Sequence, residues 1–98
     1  MNELTIYKDK LVEICKRNDI VFLSVFGSFA RGESTAQSDV DLLVRFSRRK
    51  SLLDLVRIER EFSGTLNRKV DLLTEASVSP YLRERIKYEA AVLYEQAG

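Results

Sequence analysis

Ninety-eight residues make one domain, spanning residues 1–98, at the small end of the usual range, so a separate acceptor-gripping domain does not fit. Sixteen Lys and Arg against fifteen Asp and Glu leave a formal charge of +1, which argues against the strongly basic face of a dedicated nucleic-acid binder; no strong direct nucleic-acid binding is expected. At 45% hydrophobic residues, with one proline and four glycines, the composition is that of a folded globular chain and not of a disordered one.

The first element is an amphipathic helix over residues 3–18, marked by Leu4, Tyr7, Leu11, Ile14 and Cys15 at spacings of three and four, with Asn2 as its cap. Ile20 to Phe26 is a short apolar run rich in β-branched and aromatic residues, stopped by Gly27, and reads as a buried strand. Small and polar residues follow from Gly27 to Gln37, with one helical turn starting after Ser28, and Asp39 to Phe46 reads as the second strand. Ser51 with Asp54 three residues on resembles a capping box, opening a four-turn helix striped by Leu52, Leu55, Val56, Phe62 and Leu66. A third strand covers Lys69 to Thr74. Ser79 as cap, Pro80 at the first helical position, and Leu82, Ile86, Ala90 and Leu93 predict a last helix running nearly to the end. Tyr81, Tyr88 and Tyr94 would then be packing and partner-surface residues of that helix.

Helices and strands alternate, so the expected class is α/β with a small mixed three-stranded sheet flanked by helices. The segment joining the first two strands is too short for a full crossover helix and predicts antiparallel neighbours, whereas the 51–66 helix can serve a right-handed crossover that makes strands two and three parallel. Cys15 is the only cysteine, which precludes an internal disulfide and suits a packed thiol. A charged N-terminal segment and the lack of any long apolar window predict neither signal peptide nor membrane span, hence a cytoplasmic protein.

With no histidine in the chain, His-based general-base chemistry and His-ligated metals are excluded, and any chemistry falls to carboxylates, hydroxyls, Lys and Arg. Asp39 and Asp41 stand two apart on a strand, so both project from one face about 6.5–7 Å apart, a spacing able to grip hard cations. Val70-Asp71-Leu72-Leu73 repeats Val40-Asp41-Leu42-Leu43. If the two strands are parallel neighbours with these tetrapeptides in step, Asp71 lies about 4.8 Å from Asp41, and a bound cation becomes the natural reason for gathering three mutually repelling acids. Gly27-Ser28 ends strand one beside these acids, where glycine admits close approach of a phosphate. Arg45, Arg48, Arg49 and Lys50 read as a solvated strand end.

Gly27-Ser28-Phe29-Ala30-Arg31-Gly32, five residues, then Ser38-Asp39-Val40-Asp41-Leu42 resembles the G-S-x-A-R-G…S-D-x-D-L signature of the minimal nucleotidyltransferases of the DNA polymerase β superfamily. Val70 to Leu73 matches their third-acid strand, and Ile86-x-x-Glu89…Leu93-Tyr94 resembles their ending more faintly. The resemblance implies a polymerase β-like nucleotidyltransferase fold in which Asp39, Asp41 and Asp71 are catalytic and bind metal, two Mg²⁺ ions being expected. Gly27, Ser28, Arg31 and Ser38 would bind the nucleotide, with ATP as substrate. One departure is Thr35-Ala36-Gln37, where many relatives carry Arg-Pro-Asp, which predicts a less rigid loop. By the same resemblance the chain would be the antitoxin of a HEPN-domain toxin, transferring AMP to a tyrosine of that partner. The alternative is a catalytically weak module that neutralises its partner by occlusion. Homo- or hetero-oligomeric state is left open.

Overall fold

In the computed structural model, which describes residues 3–35 and 37–96, the apolar runs form a four-stranded sheet in the order β3-β2-β1-β4. The strands are β1 (Ile20–Phe26), β2 (Val40–Phe46), β3 (Val70–Thr74) and β4 (Ala91–Glu95). β1 pairs antiparallel with β2 and β4, while β2 and β3 run parallel. The helices are α1 (Lys8–Arg17), α2 (Ser28–Arg31), α3 (Leu52–Leu66) and α4 (Pro80–Glu89). α3 makes the crossover between the parallel strands, and among the described residues the β1–β2 connection holds only the single helical turn of α2, as its shortness predicts.

Two expectations need correction here. The sheet has four strands and not three, because the last helix stops at Glu89: Ala90 turns to an extended conformation (φ −69°, ψ 141°), and the chain lies down along the free edge of β1. Tyr94 therefore belongs to β4, packed against the core, whereas Tyr81 and Tyr88 are exposed on α4. The first helix also begins later than its periodicity suggests, since Glu3–Tyr7 is a 3₁₀ turn leading into α1; the expected cap, Asn2, lies outside the described residues.

The main core fills one side of the sheet. Leu23 and Val25 of β1, Val40, Leu42 and Val44 of β2, and Val70 of β3 meet Leu11, Ile14 and Cys15 of α1 and Ile58, Phe62 and Leu66 of α3. Each large side chain so buried stabilises the fold by about 1.5–3 kcal/mol. The inward stripe of α3 is Ile58, Phe62 and Leu66, while Leu52 and Val56 are exposed, so the predicted stripe is correct only in its C-terminal half. At the start of that helix Ser51 Oγ accepts from Asp54 N and Asp54 Oδ2 accepts from Ser51 N, both at 3.1 Å, which is the capping box expected. Ser79 likewise caps α4, accepting from Leu82 N at 3.2 Å, with Pro80 at its first position.

On the opposite side of the sheet α4 covers a smaller cluster, in which Leu43, Val78 and Ile86 pack with Phe26, Leu73 and Ala90. Burial pushes the Cys15 thiol up to about 12, consistent with a packed and inert side chain. No helix of the described residues is long and apolar enough to cross a membrane.

Candidate active site

Strand pairing brings the sequence-distant acids together. In the parallel ladder Val40 opposes Val70, Asp41 opposes Asp71 and Leu42 opposes Leu72, the in-step register inferred from the repeated tetrapeptide. Alternation then turns Val40 and Leu42 into the core and Asp41 and Asp71 to the other face, with Asp39 one residue before β2 on the same side. Desolvation raises the Asp41 carboxyl above the ordinary carboxylate range, and the charges of Asp71 and Asp39 raise it further, while Arg31 opposes the shift.

The antiparallel pairing of β1 with β2 ends on Phe26 opposite Asp41, so the next residue, Gly27, is delivered onto the acid. Its backbone (φ 72°, ψ −149°) lies in a region reserved in practice for glycine, and a Cβ built there would stand 2.4 Å from Asp41 Oδ2. The absent side chain leaves a backbone cradle directly over a carboxylate. α2 follows as one turn, closed by Arg31 N donating to Gly27 O at 3.1 Å, and Glu33 N donates to Ser28 O at 2.9 Å. The Ser28 hydroxyl has no hydrogen-bond partner among the described residues.

Ser38 ties the loop in front of the acidic strand. Its Oγ accepts from Thr35 N at 2.7 Å, and Ser38 N donates to Thr35 O at 3.1 Å. Arg68, which the sequence did not single out, donates from Nη1 to Thr35 O at 2.9 Å while its guanidinium lies 4.9 Å from the Phe29 ring centroid. These contacts fasten the loop at Thr35 and Ser38. Arg31 donates from Nε to Glu33 Oε2 at 3.0 Å and from Nη1 to Glu89 Oε2 at 3.2 Å. Asp39 Oδ2 faces Lys69 Nζ at 3.9 Å. Neither Glu89 nor Lys69 carried any signal in the sequence beyond the faint match of the chain's ending. Arg45 to Lys50 lie at the far end of β2, where Arg45 pairs with Glu75 and Lys50 with Asp19.

The donor set suits a hard divalent cation: carboxylate oxygens only, brought face to face by register, beside a backbone stretch stripped of its side chain. As the side chains stand, no three acidic, histidine or cysteine residues among those described are close enough to ligate one ion; Asp41 and Asp71 meet, and Asp39 is turned to Lys69.

A glycine-serine turn laid on paired carboxylates, carried by a small mixed sheet, is the framework of a nucleotidyltransferase. Residues 9–97 match the family described as "Polymerase beta, Nucleotidyltransferase", and the chain belongs to it. It is 45% identical over 83 residues, covering 85% of this chain and 89% of the relative, to the Methanocaldococcus jannaschii protein named "Putative protein adenylyltransferase MJ0435". It is 35% identical, over 88% of this chain and 84% of the relative, to "Protein adenylyltransferase MntA" of Thermococcus cleftensis. Among solved structures, one described as a "putative minimal nucleotidyltransferase" superposes with TM-score 0.80 at 38% identity, covering 93% of this chain and 95% of the other. A chain from the tri-AMPylated Shewanella oneidensis HEPN toxin in complex with MNT antitoxin shares the fold, with TM-score 0.73 at 18% identity over 98% of this chain and 74% of that one.

Proposed function

We propose that the protein transfers AMP from ATP to a tyrosyl hydroxyl of a HEPN-domain partner and is the antitoxin of that pair, acting in the cytoplasm where both substrates are found. The observation that carries this reading is the in-register pair Asp41 and Asp71 with the Gly27 backbone laid against Asp41, in a chain closely related over most of its length to proteins named protein adenylyltransferases.

In this reading Asp39, Asp41 and Asp71 hold two Mg²⁺ ions, which when bound neutralise the triphosphate and lower the energy of the charge that develops on the departing pyrophosphate. Gly27 and Ser28 bind the phosphates through backbone N–H and hydroxyl, and Arg31 adds a cation. Ser38, tied to Thr35, keeps the approach to Asp39 in shape. The phenolic oxygen attacks the α-phosphorus, a new P–O bond forms, the bond from the α-phosphorus to the bridging oxygen breaks, and pyrophosphate leaves. Asp71 would either help hold the second ion or itself receive the phenolic proton, a task that in a chain without histidine falls to a carboxylate.

The test is incubation with α-labelled ATP, GTP, CTP or UTP, Mg²⁺ and, as partner, the product of the neighbouring gene. Label from ATP should appear on tyrosine of the partner and on nothing when Asp41→Asn replaces the parent. Neutralisation of the partner with no label from any nucleotide would overturn transfer in favour of occlusion.

A further inference from the structure

The last turn of α4 ends on an acid that neither the core nor the proposed reaction explains. Glu89 lies 58 residues from Arg31 in sequence, yet its Oε2 accepts from Arg31 Nη1 at 3.2 Å, and Glu33 Oε2 accepts from Arg31 Nε at 3.0 Å. Two of the five N–H donors of the guanidinium are thereby committed, and Nη2 makes no hydrogen bond to the described residues. Arg31 lies in the single turn of α2 that follows Gly27, and its charge opposes the raised Asp41 carboxyl. Stability does not require this pair. The Arg31 and Glu89 side chains are 43% and 28% exposed, and such ion pairs add little to a fold. α4 is already fastened by Ile86 against Leu43 and Val78.

We propose that Glu89 is a positioning residue for nucleotide binding, holding Arg31 by one edge so that its remaining donors face the phosphates of a nucleoside triphosphate seated at Gly27-Ser28. The inference rests on the nucleotide site of the preceding reading and adds to it a residue of the last helix. A long, flexible arginine loses side-chain freedom when a ligand fixes it; a carboxylate that fixes it in advance removes that cost from the binding step. The planar guanidinium suits the task because its edges can be held and used separately. It also gives the ending Ile86-Lys87-Tyr88-Glu89 a role, since the turn to β4 at Ala90 is what leaves Glu89 at the helix end facing α2.

The experiment is calorimetric titration of Mg²⁺ and a non-hydrolysable ATP analogue into the parent, Arg31→Ala, Glu89→Gln, Glu89→Asp and the Arg31→Ala/Glu89→Gln double variant, with melting curves for each. Arg31→Ala should weaken binding about ten- to a hundredfold, the range for loss of a charge-assisted contact, and Glu89→Gln by a smaller factor, about three- to tenfold. Glu89→Asp should recover part of the loss, and the double variant should bind no more weakly than Arg31→Ala alone, because the acid acts only through the arginine. In the transfer assay Glu89→Gln should raise KM for ATP and leave kcat within about twofold, a split that loss of stability would not produce. A parent that binds while Glu89→Gln binds equally well, or losses that add in full in the double variant, would overturn the positioning role and leave the nucleotide site standing. A parent that binds no nucleotide would overturn the site itself. Should Glu89→Gln fail to fold, the same comparison is made with Glu89→Ala, where unchanged affinity overturns the proposal.

Discussion

Replacing Gly27 by alanine should be the most damaging single-methyl change in the chain, and the other glycines supply its controls. At Gly27 the backbone pair φ 72°, ψ −149° is one that L side chains avoid, at a cost of about 1–3 kcal/mol. The new methyl would also sit 2.4 Å from Asp41 Oδ2, so the carboxylate must leave its rotamer, adding about 0.5–1.5 kcal/mol. The sum, about 1.5–4.5 kcal/mol, is a large share of the roughly 5–15 kcal/mol stability of a domain this size. At about 4–8 °C per kcal/mol, melting should fall by roughly 6–36 °C. Gly32→Ala places a methyl in open space at φ 73°, ψ 21°, the ordinary left-handed region, and should cost only about 1–2 kcal/mol. Gly64→Ala, within α3 with nothing near the new methyl, should stabilise by about 0.5–1 kcal/mol. Thermal melts with and without Mg²⁺ and ATP would read the series: the parent and the Gly32 and Gly64 variants should gain stability from the ligands, and Gly27→Ala should not. Were Gly27→Ala to melt with Gly32→Ala and keep the ligand-induced shift, the turn would not be pressed against Asp41 and the site would have to be redrawn.

Asp41→Asn should abolish transfer yet melt at or above the parent in EDTA at pH 7, measured by calorimetry. Because the folded Asp41 carboxyl is raised above its unfolded value, the folded state holds the proton more tightly; the stability deficit of the metal-free parent relative to the variant should be full above the raised value and vanish as pH falls to the ordinary carboxylate range. A gap that widens on acidification would contradict that sign. Ser51→Ala, which removes the hydroxyl that caps α3, should cost about 1 kcal/mol and lower melting by roughly 4–8 °C, checked by circular dichroism. Cys15, buried with its thiol pushed up to about 12, should resist a disulfide reagent at pH 8 in native protein and react promptly in denaturant; fast native reaction would place it outside the core.

Much of the site was legible in the chain because its information is local. Gly27-Ser28 closing an apolar run, Asp39 and Asp41 at period two, and the repeat of Val40-Asp41-Leu42-Leu43 as Val70-Asp71-Leu72-Leu73 each bear on one element, and a fifteen-residue α3 long enough to cross over sets the parallel register that joins them. Ser51, Asp54, Ser79 and Pro80 likewise mark helix starts by bonds within a single turn. What the sequence left undecided depends on surfaces brought together from afar. Leu82, Ile86, Ala90 and Leu93 fit a helical period, and residues 91–95 become a strand only because β1 offers an unpaired edge, with Leu23 opposing Tyr94 and Val25 opposing Ala91. That turn out of the helix brings Glu89 to Arg31. In the same way Arg68 reaches Thr35 and Lys69 reaches Asp39 across the parallel pair, contacts between residues more than two dozen positions apart for which no spacing rule exists. Period and caps fix which segments are helix or strand and which way their acids point; the edge left open on β1, and the packing that closes it, decide which charges surround those acids.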